Sequence, residues 1–152
     1  MNAYIFDLDG TLLDSMGVWE QLDEAFLRTR GIEMPEDYTE AMAALSFPEA
    51  ALYAIRRFGF TDTVEELLRE WNGMAIHAYG HTVGLKPHAR AYLQQLKARG
   101  ERLGIATSLP AMLYGPALAN NGIAELFDAV CSSDEVGCGK SSPDVFLLAA
   151  RK

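Results

Sequence analysis

Two aspartates, Asp7 and Asp9, close a short apolar run near the start of the chain. Two apart on an extended backbone, they present their side chains to the same side. A pair of acids held that close needs a cation, so the chemistry it suggests is metal-assisted work on an anionic substrate. An isolated Asp-x-Asp is also a common solvated turn, and its meaning depends on what surrounds it. A calcium loop is one alternative, but counted from Asp7 its required glycine falls on Leu12 and its closing glutamate on Val18. That alternative fails.

The elements that must position the pair are legible from residue spacing. Ala3 to Leu8 is an apolar run with Tyr, Ile and Phe that ends in acids and Gly10, the pattern of a buried parallel strand followed by a turn. Arg102 to Ala106 and Phe127 to Cys131 repeat it, each after a helix-like stretch. Strand and helix in alternation predict an α/β fold with a Rossmann-like parallel sheet, whose ligands bind beyond the carboxyl ends of the strands. The helix before the second strand starts after Pro87 and stops at Gly100. Another runs from Pro110 to about Asn121 and Gly122, and a last one opens with Ser142 as N-cap and Pro143 as first helical residue. Between Asp14 and Leu85 the strand signal gives way to helical spacing at Trp19, Leu22 and Phe26, at Ala51, Ala54, Ile55 and Phe58, and at Val64, Leu67, Leu68, Trp71 and Ala75. Breaks at 31–35, 59–62 and 80–84 divide it into a small bundle whose aromatic stripes read as its own core. The expected division is a core of residues 1–14 and 86–152 carrying a helical insert, 15–85.

Composition excludes several classes. Of 152 residues, 49% are hydrophobic and 22% charged, which suits an ordinary globular protein with a real core. The formal charge of −8, with no basic cluster beyond Arg56 and Arg57, offers no surface for nucleic acid or anionic lipid. An acidic protein can still handle a small phosphate ester if a bound cation offsets the local field. The first residues carry neither a basic flank nor a long apolar run, so a cytoplasmic location is expected. Cys131 and Cys138 match neither a disulfide framework nor the usual zinc spacings, and are read as structural.

The string Asp7, Leu8, Asp9, Gly10, Thr11, Leu12, Leu13, Asp14, Ser15 after an apolar strand closely resembles the first motif of the haloacid dehalogenase superfamily. Two further motifs follow in that family's order. Ile105, Ala106, Thr107, Ser108 resembles the second, where a hydroxyl and backbone N–H groups at a helix start hold phosphate oxygens. Gly139, Lys140, Ser141, Ser142, Pro143, Asp144 resembles the third, with Ser141 where relatives commonly have a proline. The resemblance implies a Mg²⁺-dependent phosphatase acting on a small phosphorylated metabolite. Asp7 would be the nucleophile that forms an aspartyl-phosphate and Asp9 the acid/base. Thr107, Ser108 and Lys140 would bind phosphate, and the Asp7 carboxylate with the Asp9 backbone carbonyl would bind the metal.

Within the superfamily, Asp9 argues against a dehalogenase, and the absence of lysine from 15–85 argues against a phosphonatase. The insert resembles the small cap of the beta-phosphoglucomutase-like branch, which closes over the site and excludes water. Trp19, Glu20, Arg56, His77, Tyr79 and His81 are cap candidates for substrate selection, and His88 stands where relatives usually have glycine. The stretch Met42 to Ala50 takes the place of the cap's specificity loop but lacks a basic residue, which favours a phosphatase over a sugar-phosphate mutase. The family's fourth motif, an acidic loop that completes the metal site, is expected about 20 residues beyond Lys152. The resemblance therefore implies a C-terminally truncated chain with an incomplete sheet, an exposed edge beside the nucleophile and a tendency to self-associate. A catalytically impaired fragment serving as an interaction module is the alternative of a different class. A phosphate-receiving signalling domain is disfavoured because that fold has no helical insert after its first strand.

Overall fold

The structure, a computed structural model, describes residues 2–43 and 45–152. The chain forms two compact units. One comprises the residues up to Met16 together with Ala78–Lys152, and the other is Gly17–His77.

The first unit is built on a parallel sheet of order β1-β2-β3, with β1 at Ala3–Phe6, β2 at Arg102–Thr107 and β3 at Ala129–Ser132. Among the described residues β1 is an edge strand, paired only with β2, in a register that aligns Phe6 with Ile105. Side chains alternate across the sheet and so build two apolar layers. On one face Ile5, Ala106 and Cys131 pack with Val145, Leu148 and Ala149 of a C-terminal helix, Asp144–Arg151. On the other, Phe6 meets Tyr92 edge to face at 6.3 Å between ring centroids, and Tyr92 belongs to the helix Ala89–Ala98. Helices on both faces of a parallel sheet make this an α/β unit. The strand ends are fixed by charge. Asp128 accepts from the Leu103 backbone N–H at 2.9 Å, from Lys97 at 3.0 Å and from Arg102 at 2.7 Å. Those donors, the Leu103 N–H first, hold its carboxyl well below the usual carboxylate range.

The second unit is a helical bundle of α1 (Val18–Thr29), α2 (Tyr38–Ala43), α3 (Phe47–Phe58) and α4 (Val64–His77). Its core gathers Phe26, Leu27, Tyr38, Ala51, Ala54 and Leu67, with Phe26 edge to face on Trp71 at 5.4 Å. Arg30 ties the helices together. It donates to both carboxylate oxygens of Glu70, at 2.9 and 2.7 Å, and to Asp62 at 3.2 Å, while its guanidinium lies 4.1 Å from the Phe26 ring centroid. A planar, delocalised cation suits this combined fork and stack. Among the described residues no helix is long and apolar enough to cross a membrane.

Returning to the first unit, α5 is Ala89–Ala98, α6 is Ala111–Asn120, α7 is Ser133–Val136 and α8 is Asp144–Arg151. Several expected boundaries shift. The units divide at 16/17 and 77/78, not at 14/15 and 85/86, because the neck residues are bonded into the sheet unit: Asp14 N–H donates to the Gly84 carbonyl at 2.9 Å, Lys86 N–H to Leu12 at 2.8 Å, and the Asn121 amide to Val83 at 2.9 Å. Within the expected break at 80–84, residues 80–82 instead belong to a π-helical turn, Ala78–Thr82, which follows α4 in sequence, and the helix ends before Val83 and Gly84. Ser142 is not the N-cap of α8: Pro143 holds that position, and the Ser142 hydroxyl is turned to the Asp144 carboxylate at 2.7 Å. His88, expected to stand in for a glycine, does adopt a left-handed backbone, with φ +67°, and is the one non-glycine to do so among the described residues.

Candidate active site

The first motif is a tight turn wound around one carbonyl. The N–H groups of Thr11, Leu12 and Leu13 all donate to the Leu8 carbonyl at 2.9 to 3.1 Å, which curls the chain back just after β1. Gly10 sits inside this curl at φ +70°, and a Cβ there would come within 3.0 Å of the Met16 sulfur. The glycine of the motif thus serves backbone geometry. Leu8, Leu12 and Leu13 are buried beneath the turn, so the apolar residues anchor it and leave Asp7 and Asp9 partly accessible.

Lys140 reaches Asp7 from 133 residues away in sequence, donating to Asp7 Oδ1. Its ammonium lies 5.6 Å from the ring centroid of Phe146 on α8, so an aromatic face and a carboxylate together aim the side chain. This pair is only partly buried, with the Lys140 and Asp7 side chains 24% and 37% exposed, which leaves both open to a ligand.

Asp9 Oδ1 accepts two hydroxyl hydrogen bonds, from Ser15 at 2.6 Å and from Tyr79 at 2.8 Å. Thr107 ends β2 and is fully buried; its hydroxyl accepts the Leu109 N–H at 3.1 Å, which shapes the turn leading towards α6. Ser108 beside it is exposed. Because β1 and β2 are parallel and aligned, Asp7 and Thr107 leave the sheet at the same, carboxyl edge. The structure thus joins Lys140 to Asp7 by direct contact and places Thr107 and Ser108 on the same edge of the sheet.

The expected metal donors are hard oxygens, the Asp7 carboxylate and the Asp9 carbonyl. Among the described residues no group of three His, Cys, Asp or Glu gathers to form a cage. Magnesium, unlike calcium, is usually held by one or two carboxylates with water and substrate phosphate completing its shell, so a two-residue donor set fits it.

In the helical unit, Trp19 and Glu20 on the first turn of α1 line a cavity of about 290 Å³ together with Asp23, Phe47 and Trp71. Burial, and secondarily the neighbouring Glu20, push the Asp23 carboxyl up to about 6. Arg56 does not share this cavity; it lies on α3 at a shallow depression with Glu49, Tyr53 and Arg57. His77 ends α4 and is exposed, as is His81 in the π turn. In the expected specificity loop, Ser46 and Glu49 form a capping box for α3, with the Ser46 N–H on Glu49 at 2.8 Å, and Ala44 lies outside the described residues. Those two polar groups are occupied in starting a helix. Ser15, Phe146 and Asp23 were not singled out from sequence. Ser15 lies inside the quoted motif and could have been flagged there, whereas nothing local marks Phe146 or Asp23.

A sequence model described as haloacid dehalogenase-like hydrolase matches residues 4–152. Among curated proteins, the chain is 22% identical over 152 residues to a phosphorylated carbohydrates phosphatase of Thermotoga maritima, covering all of this chain and 70% of that protein. It is 30% identical over 155 residues to a phosphoglycolate phosphatase of Yersinia pseudotuberculosis, covering 97% of this chain and 65% of the relative. Among solved structures, a protein described as a beta-phosphoglucomutase from Thermotoga maritima superposes with a TM-score of 0.88 at 22% identity, over 99% of this chain and 70% of that one.

Proposed function

Since this chain belongs to the haloacid dehalogenase-like hydrolases, whose matched relatives are named as phosphatases, we propose that it hydrolyses a small phosphate monoester through an aspartyl-phosphate on Asp7. The observation that carries the proposal is the contact between Lys140 and Asp7. A cation brought from so far along the chain to a half-exposed carboxylate is a structural expense without an evident packing return, whereas a phosphoryl group arriving at Asp7 needs positive charge there.

In the first step a carboxylate oxygen of Asp7 attacks phosphorus, and the bond from phosphorus to the leaving oxygen breaks as Asp9 gives that oxygen a proton. In the second, water attacks the same phosphorus, Asp9 takes the water's proton, and inorganic phosphate leaves as the Asp7 carboxylate is restored. Lys140 offsets charge on the group in transfer, and Thr107 with the Ser108 region holds its oxygens. The Asp7 carboxylate and the Asp9 main-chain carbonyl would hold Mg²⁺, which when bound neutralises phosphoryl charge and orients the ester. Trp19 and Glu20, which share a cavity in the helical unit, are assigned to substrate selection, with phosphorylated sugars and small phosphorylated acids as the first classes to examine. The absence of a basic residue from 42–50, where a second phosphate would need one, supports hydrolysis over a mutase reaction.

The test is a phosphate-release screen of phosphate esters with Mg²⁺ on the chain and on Asp7→Ala. Release by the chain and none by Asp7→Ala is expected. Phosphate release that survives Asp7→Ala would refute the nucleophile, and conversion of a sugar phosphate to an isomer without phosphate release would favour the mutase.

A further inference from the structure

Two hydroxyls converge on a single oxygen of Asp9. The Ser15 hydroxyl accepts the Gly10 N–H at 3.2 Å and donates to Asp9 Oδ1 at 2.6 Å. Tyr79, fully buried, points its hydroxyl to the same oxygen at 2.8 Å. A carboxyl oxygen has two in-plane acceptor sites, and both on Oδ1 are taken. With Oδ1 engaged twice, Oδ2 is the oxygen left open to carry a proton.

We infer that Tyr79 is a positioning residue for the proton donor: its hydroxyl, with that of Ser15, locks the Asp9 side chain so that Oδ2 alone holds the transferable proton. The inference rests on the acid/base role proposed for Asp9. The backbone around Tyr79 is built to aim it. Ala78–Thr82 is a π turn, closed by the Val83 N–H on the Ala78 carbonyl at 2.9 Å, and the Thr82 hydroxyl bonds that carbonyl at 3.0 Å. An additional residue in the turn changes the direction of the side chains around it, and such turns recur at functional sites. The turn is clamped from outside as well. Gly80 passes so near Pro116 that a Cβ would lie 3.3 Å from the proline Cβ, and the Asn121 amide holds the Val83 carbonyl at 2.9 Å. A tyrosine kept only for packing would not require its hydroxyl on the acid.

The test compares kcat/KM for a simple alkyl phosphate, whose leaving group needs a proton, with p-nitrophenyl phosphate, whose leaving group scarcely does. The chain, Tyr79→Phe and Asp9→Asn are measured with Mg²⁺. Tyr79→Phe, which removes one oxygen from a buried ring, is expected to lower kcat/KM about 10-fold on the alkyl ester and less than about 3-fold on the nitrophenyl ester, because only proton-dependent bond cleavage draws on the positioned acid. A crystal structure of the variant should show the Asp9 carboxyl turned from its position in the parent. Equal losses on both esters, or an unchanged alkyl rate, overturn the inference while leaving Asp9 as acid/base if Asp9→Asn itself shows the leaving-group dependence. If Asp9→Asn shows none, or the chain turns over neither ester, the proposed function fails and the inference falls with it.

Discussion

The two units use polar residues for opposite ends. In the sheet unit, Lys140 and Tyr79 reach across long stretches of sequence, and Ser15 from within the same motif, to two aspartates that remain partly open to solvent. In the helical unit, the strongest polar contacts are structural: Arg30 binds Glu70 and Asp62 across helices, Arg57 binds Asp37 at 2.7 and 2.9 Å, and Ser46 with Glu49 starts α3. Polar groups that converge on acids with open faces invite a ligand. Polar groups that satisfy each other across a bundle stabilise it, and exposed pairs do so weakly. The same residue types therefore mean different things in the two units, and their partners decide which.

The sharpest way to break that contrast is at Lys140. If its charge serves phosphoryl transfer, Lys140→Ala lowers kcat by about 10²- to 10³-fold, with the larger loss in the chemical step. Stability should move little, because Asp7 remains hydrated when its partner is gone. Steady-state kinetics beside a urea titration separates the two outcomes, and a variant that unfolds while retaining its kcat would place Lys140 with the structural pairs.

Asp23 offers the matching test in the bundle. Its carboxyl is raised from 3.8 to about 6 by burial and by Glu20. Well below pH 3.8 it is protonated both folded and unfolded and has no effect. As pH rises towards 6 the unfolded chain ionises first, so stability declines across that window and the penalty is complete above it. Discounted for its partial exposure, the penalty is about 1 to 2 kcal/mol. Asp23→Asn should match the parent near pH 3 and exceed it by that amount at pH 8 in urea unfolding. A variant equally stable at both ends would mean that the bundle does not strain this acid.

The smallest effect belongs to the neck. His88 holds a left-handed backbone before α5 without the freedom of glycine. His88→Gly should stabilise by about 1 kcal/mol, offset in part by the greater entropy of the unfolded chain, and differential scanning calorimetry should register the higher Tm. A fall in Tm would show that the histidine side chain earns its place.

How much could be read beforehand followed from the range of the forces involved. The strand before Asp7 was visible because a buried parallel strand is apolar throughout, and its limits were overestimated because Leu8 continues the apolar run while already serving as the hub of the turn. The bundle's helices were visible through their spacing. The π turn was not: Gly80 looks like a break, yet it lies within the turn and close against Pro116, and the chain leaves the helix only at Val83 and Gly84. Ser142 was misplaced by one position because Asp144 competes for its hydroxyl. Asp7, Asp9, Thr107 and Lys140 stood out because each lies at an element boundary with a readable local pattern. Tyr79 was noticed only as one polar group among several, since no local pattern ties it to a residue 70 positions earlier.

By itself the amino-acid sequence determined the α/β class, the helical insert and the identity of the acids, because periodicity, turn residues and short motifs are properties of neighbours along the chain. Only the tertiary structure decided which oxygen of Asp9 is engaged, which lysine meets Asp7 and which bundle residues share a cavity. Those contacts join residues far apart in sequence, and packing, which has no local signature, sets the distances between them.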